Sequence, residues 1–191
     1  MIFTETKLAG AFVVELERRE DERGWFARMF CQREFGDRGL NPILAQGNVA
    51  FNRRRGTLRG MHFQFPPSAE AKYVRCTRGA ILDVLVDLRP ESTTFLEHVA
   101  VELNEENGRG VLIPKRFAHG YQVLRDDTET TYLVDEFYDP TAEGGLHHGD
   151  PALGITWPLP IAEISPKDEG WAPFADAETE LRQRMQAAPE P

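Results

Sequence analysis

Residues 55–64, Arg-Gly-Thr-Leu-Arg-Gly-Met-His-Phe-Gln, followed by Lys72, put a histidine, two arginines and a lysine close together in what reads as strand and turn. His62 belongs to the one side-chain type that titrates near neutrality, so it is suited to taking a proton and returning it. Arg59 and Lys72 are suited to holding a phosphate or a developing oxyanion. One proton acceptor among several cations points to a substrate with acidic groups. A lone histidine in a β-rich chain is more often structural, and it is the cationic company that turns the reading toward chemistry. A strong base also needs a carboxylate on its second ring nitrogen, and spacing alone does not say which acid supplies it.

A second histidine, His119, sits in IPKRFAHGYQVL. It reads either as a strand-end residue bonded to backbone or as another polar group lining the same cavity. A metal site would need about three protein ligands in a compact set. The His-Phe-Gln around His62 lacks the second histidine of an HxH pair, and the adjacent His147 and His148 would point to opposite faces of a strand, so metal binding is disfavoured. Tyr132 and Tyr138 are six residues apart and would share a face if the chain stayed extended between them. Packing on the core is the commoner fate of tyrosine; the functional reading makes one phenol a proton donor and the other a stacking ring. Arg53-Arg54-Arg55 reads as a solvated turn.

These residues must be carried by a framework of strands. ILDVLVDL at 81–88 alternates with period two, placing Leu82, Val84, Val86 and Leu88 on one face and Asp83 and Asp87 on the other. Segments 11–17, 25–30, 48–52, 98–103, 111–114, 121–124 and 130–134 extend the series, with turns at 21–24 and 53–56. Many short strands between turn residues suggest a β-sandwich or barrel. A short helix is expected over 31–35, stopped by Gly36, and a longer one over 176–186 with Asp176 as N-cap; the final AAPEP reads as frayed. The 191 residues, with no internal repeat or linker, fit a single domain spanning 1–191. With 22 Lys+Arg against 31 Asp+Glu the net charge is −9, which argues against nucleic acid as a partner. Cys31 and Cys76 have no CxxC partner, so neither a disulfide framework nor a zinc site is expected. No basic-then-apolar leader and no apolar run of about 20 residues is present, and the expectation is a soluble cytoplasmic protein without membrane attachment.

Several motifs in order resemble the dTDP-4-dehydrorhamnose 3,5-epimerases: Asp21-x-Arg-Gly-x-Phe26, Gln46-x-Asn48, LRGMHFQ at 58–64 with Pro66-Pro67 and Lys72, GAILDVLVDLR at 79–89, IPKRFAHGYQVL at 113–124, YDP at 138–140 and ITWP at 155–158. The resemblance covers about residues 20–170. It implies a mainly β, cupin-like jelly roll with short peripheral helices, a homodimer, and catalysis with no metal or organic cofactor. It implies a dTDP-linked 4-keto-6-deoxy sugar as substrate. His62 would be the base, oriented by Asp168 of Ser-x-Lys-Asp 165–168; Tyr132 would be the acid on the opposite face of the sugar, and Lys72 would sit near the C4 oxygen. Arg23, Gln46, Asn48, Arg59, His119, Glu143 and Lys167 match substrate-binding positions, as does Lys72, and Tyr138 would stack on the nucleobase. The chain departs from the pattern at Arg28, where a glutamate is common, at Arg116, where a glycine is common, and at His147-His148-Gly149, where an aromatic residue is usual. Arg28 leaves open a relative that uses a CDP- or GDP-sugar. An enzyme inverting only one of the two carbons is a further alternative, and a metal-dependent cupin or a non-catalytic sugar-binding cupin are more distant ones.

Overall fold

The fold is seen in a computed structural model that describes residues 1–38 and 44–186; the terminal AAPEP lies outside the described residues. In chain order the elements are β1 (Ile2–Glu5), β2 (Phe12–Glu15), β3 (Arg19–Asp21), β4 (Gly24–Phe26), α1 (Gln32–Gly36), β5 (Gln46–Asn52), β6 (Thr57–Gln64), β7 (Lys72–Arg78), β8 (Ala80–Asp87), β9 (His98–Asn104), β10 (Gly110–Ile113), β11 (Phe117–Val123), β12 (Thr128–Val134), β13 (Glu143–Gly145), β14 (Glu163–Ile164), α2 (Pro166–Glu169) and α3 (Phe174–Arg184). One sheet runs β1-β2-β10-β7-β12-β5 and the other β13-β6-β11-β8-β9, with β14 parallel to β6. The two sheets face each other as a jelly roll, and β3 and β4 form a separate hairpin.

Alternation along the strands gives each sheet two apolar faces, and each is covered. Val74, Cys76, Val111 and Ile113 of the first sheet meet Ile81, Leu85, Tyr121 and Val123 of the second in the space between the sheets. Outside the second sheet, Met61, Phe63, Val84 and Val86 pack under Leu146, Leu153 and α3 through Phe174 and Leu181. Outside the first, Val14, Tyr73 and Leu112 pack under Phe35 of α1. The Asp83 and Asp87 face of β8 is therefore as buried as its apolar face, and both acids are fully enclosed. Burial on that scale requires partners: Asp87 accepts from Arg89, Ser92 and Thr94, and Asp83 faces His119.

Several expectations shift. The late helix runs 174–184, not 176–186, and its N-cap is Pro173. Asp176 lies inside the first turn. The first helical N–H, that of Phe174, is accepted by Asp150 from a distant loop. The strand expected at 121–124 begins at Phe117, which puts His119 in mid-strand. Extended backbone from Tyr132 ends at Val134, so Tyr132 and Tyr138 are not on one continuous face. Arg116 has φ +65, the left-handed region glycine adopts freely; its side chain is held by Glu91 at 2.7 Å and by the Met185 carbonyl at 2.9 Å at the end of α3.

The irregularity that matters most is a bulge between β6 and β11. His62 pairs with His119 and Arg59 with Tyr121, so Gly60 and Met61 stand opposite Gly120 alone. The extra residue breaks the alternation and turns Arg59 and His62, three apart, toward the same side. Gly60 has φ +132, and a Cβ built on it would lie 2.5 Å from the Gly120 Cα. Replacing Gly60 with Ala is expected to destabilise the protein by at least about 2 kcal/mol, from strain and backbone overlap together. Urea unfolding measures this, and an unchanged midpoint would refute the packing described here.

Candidate active site

A cavity of about 150 Å³ opens between the sheets, lined by Ala50, Arg59, His62, Lys72, His119, Gly120, Tyr121 and Tyr132. β6 contributes Arg59 and His62, β7 opens with Lys72, β11 contributes His119 to Tyr121, and β12 contributes Tyr132. An open groove of about 570 Å³ shares Arg59 with the cavity and is also lined by Asn52, Arg53, Ser165 and Asp168.

His62 and Asp168, 106 positions apart in sequence, meet at 2.7 Å through Nε2 and Oδ1. The second carboxylate oxygen of Asp168 accepts the N–H of Gly60 at 3.1 Å, a donor that the bulge releases from the sheet ladder. Asp168 is presented by α2, a four-residue helix whose N-cap Ser165 accepts the Asp168 N–H at 3.0 Å and whose first residue is proline. Ser-x-x-Asp is a capping signature, so the local sequence fixes the acid before it meets the histidine. Burial would raise the Asp168 carboxyl, but the hydrogen bond and charge of His62, the Gly60 N–H and Ser165 outweigh it and hold the group below the ordinary carboxylate value. The acid is thus an anion at neutral pH and fixes the ring of His62.

The opposite wall carries Tyr132. Burial, reinforced by the nearby Glu70 carboxylate and partly offset by Arg59, raises its phenol above the ordinary value, so it keeps its proton at neutral pH. Lys72 lies beside it, paired with Glu70 at 2.8 Å and largely enclosed. His119 is the direct cross-strand neighbour of His62, and its Nε2 meets Asp83 at 2.8 Å. Each histidine of the pair thus faces its own carboxylate, and among the described residues no three His, Cys, Asp or Glu side chains converge as a metal-ligating group.

A second cluster forms the rim. The N–H of the exposed Tyr138 donates to Gln46 Oε1 at 2.9 Å, its hydroxyl donates to Glu143 at 3.1 Å, and Lys167 pairs with the same carboxylate. Burial would raise Glu143, but Lys167 and Tyr138 bring it below its ordinary value, and Lys167 rises in return. Asn48 is the cross-strand partner of Tyr132 and shares its face. Arg23 is not brought to the cavity: it sits on the β3–β4 hairpin, paired with Asp21 at 2.6 Å and 89% exposed. Arg28 likewise lies apart, 3.4 Å from Glu34. Sequence reasoning passed over Glu70, Asp83, Asn52 and Tyr121, which touch or flank the predicted residues. Asp83 carried a signal, a charge within an apolar strand; the other three carried none.

A family model described as dTDP-4-dehydrorhamnose 3,5-epimerase matches residues 5–176. The chain is 41% identical over 177 residues to the dTDP-4-dehydrorhamnose 3,5-epimerase of Methanothermobacter thermautotrophicus, covering 91% of this chain and 95% of the relative. A Streptomyces niveus relative, 36% identical over 89% of this chain and 82% of its own length, is a dTDP-4-dehydrorhamnose 3-epimerase. The crystal structure of the Legionella pneumophila dTDP-6-deoxy-D-glucose-3,5-epimerase in complex with dTDP-4-keto-L-rhamnose superposes with a TM-score of 0.89 at 34% identity, covering 97% of this chain and 99% of that one.

The His62–Asp168 pair sets an acid-side test. The folded carboxyl lies below its unfolded value of 3.8, so its contribution is fully present above about pH 4 and is lost as pH falls through the folded value. Asp168→Asn keeps an acceptor for Gly60 but removes the charge. The stability gap between wild type and this variant, read by urea unfolding from pH 3 to 7, should be widest above about pH 4 and narrow below it. A gap that widened as the pH fell below about 4 would contradict the arrangement.

Proposed function

The chain belongs to the dTDP-4-dehydrorhamnose 3,5-epimerase family, and from that premise we propose how its residues divide the reaction. The protein is an isomerase that converts dTDP-4-dehydro-6-deoxy-D-glucose to dTDP-4-dehydro-L-rhamnose in deoxysugar biosynthesis. Carbons 3 and 5 flank the C4 ketone, and loss of a proton from either gives an enolate whose charge rests on the C4 oxygen. His62 removes the proton; the anionic Asp168 at 2.7 Å orients its ring and stabilises the imidazolium that forms. Tyr132 returns a proton from the opposite wall, and inversion follows because acceptor and donor face each other across the sugar. Lys72 stabilises the developing oxyanion more than the ketone, which is what lowers the barrier. Arg59 holds the diphosphate, with Gln46, Asn48 and His119 completing the polar lining. Tyr138 stacks on the base beside Glu143 and Lys167. The observation that carries the reading is that His62, whose Nε2 meets Asp168 at 2.7 Å, shares one small cavity with the protonated Tyr132.

His62→Asn should abolish exchange of the C3 and C5 hydrogens with solvent deuterium, a fall of about 10³-fold or more. Tyr132→Phe should retain some exchange yet lose doubly inverted product. Proton NMR of reactions with dTDP-, CDP- and GDP-linked 4-keto sugars reads exchange, product and nucleotide together. Normal exchange in the His62 variant would remove it as the base. Product inverted only at C3, the activity that the Streptomyces niveus relative's name describes, would overturn the two-centre assignment, and turnover of only a CDP- or GDP-sugar would overturn the nucleotide.

We further propose a homodimer in the cytoplasm. The edge strand β5 exposes Val49 and Phe51, and the β3–β4 hairpin and the segment after it expose Trp25, Phe26 and Met29. Met29 and Val49 line one open surface hollow, and exposed apolar surface of this kind is suited to a second copy. Arg23, remote from the cavity of its own chain, would then act in the partner's site. The free Cys31 and Cys76 suit a reducing compartment. Val49→Asp combined with Phe51→Asp should convert a dimer to a monomer by light scattering; an unchanged mass would exclude this face as the interface.

A further inference from the structure

Asn52 is the last residue of β5 and is 3% exposed, yet no role in binding or chemistry falls to it above. Its Oδ1 accepts the Nε–H of Arg59 at 2.7 Å. Arg59 has only donors, so the contact fixes which end of the amide faces it. The Nδ2 of Asn52 then points at the Tyr121 hydroxyl and the Thr128 carbonyl, both at 3.4 Å, and the Tyr121 hydroxyl lies 3.3 Å from Thr130 Oγ1. Tyr121 is also the residue opposite Arg59 at the bulge. Arg59 is therefore gripped at one nitrogen by a buried network rooted in β11 and β12, and its guanidinium lines both the sugar cavity and the adjoining groove.

The chemistry of the gripping atom is informative. A carboxylate would hold Nε more tightly but would cancel the charge that an anion needs. Among the described residues the grip on this guanidinium is a neutral carboxamide, whereas neighbouring Lys72 and His62 face Glu70 and Asp168. We propose that Asn52 is a positioning residue for substrate affinity, aiming Arg59 at the diphosphate while leaving its positive charge uncompensated. The proposal rests on the reading of Arg59 as the diphosphate ligand.

Two near-isosteric substitutions separate aim from charge. Asn52→Leu removes the acceptor and leaves Arg59 charged, and is expected to raise KM, and the Kd for dTDP, about threefold. Asn52→Asp keeps an acceptor but adds a negative charge in contact with Arg59, and is expected to raise both about tenfold or more, with kcat within about threefold of wild type and the effect shrinking at high salt. Thermal melting checks that each variant is folded, and kinetic constants are taken per folded enzyme. Arg59→Ala should raise KM by itself, and Asn52→Asp added to it should have little further effect, because the two act through one contact. If Arg59→Ala leaves the dTDP Kd unchanged, the reading of Arg59 fails. If it raises Kd while Asn52→Asp does not, or if Asn52→Asp lowers kcat with KM unchanged, the positioning proposal fails and Asn52 is structural only.

Discussion

Between Arg59 and His62, two residues of β6 face one residue of β11, and the site depends on that single mismatch. In a regular strand, positions three apart point to opposite faces. The bulge puts both side chains in one cavity while Met61 and Phe63 remain in the outer core. Backbone groups at the bulge find partners elsewhere: the Gly60 N–H goes to Asp168 at 3.1 Å, and Met61 exchanges hydrogen bonds with Leu146 at 3.3 and 3.0 Å. A buried donor left without an acceptor costs about 1–3 kcal/mol, so the bulge and Asp168 stabilise each other. Asp168, which fixes the ring of His62, is thus also the acceptor that makes the strand geometry beneath that ring tolerable.

How far this was legible in the sequence depends on the range of the interaction that decides each feature. β8 was readable because ILDVLVDL carries its alternation within eight residues, and β9 and β12 likewise. β7 was not, since Arg75, Thr77 and Arg78 interrupt an apolar pattern that only the neighbouring strands β10 and β12 complete. The bulge could not be read at all: Gly60 and Gly120 look like ordinary strand glycines until β6 and β11 are laid together. The same limit governs the site. His62, Lys72, Tyr132 and Asp168 were reached through motifs, yet Asn52 and Tyr121 emerge only from contacts spanning 7 and 69 positions. The cap of α3 by Asp150 rather than Asp176 is another such case, a local rule displaced by a distant loop.

The acidic chain and the cationic site are compatible because local pairing, not net charge, sets the field at the cavity. Asp168 and Asp83 are each committed to a histidine, and Glu70 to Lys72. The Glu70 charge is thereby offset at short range by Lys72, and exposed charges elsewhere on the chain are screened beyond about 10 Å. Tyr132 responds to the same arrangement: burial and Glu70 raise it together, favouring the protonated phenol that a donor requires. One wall thus keeps its phenol protonated, and the facing wall holds the ring of His62 against Asp168.

Lys167 and Asp168 are adjacent in a helix only four residues long, capped by Ser165 and opened by Pro166. Lys167 pairs with Glu143, which also takes the Tyr138 hydroxyl, while Asp168 meets His62. A helix this short has no internal joint, so the backbone positions that carry the two side chains move as one piece. On the proposed reading, contacts that order Lys167 and Glu143 around a bound nucleotide also hold the backbone that carries Asp168. On that reading, binding energy gained far from the reacting carbons helps fix the geometry at His62, a way for an enzyme to gain rate from a part of the substrate that does not react.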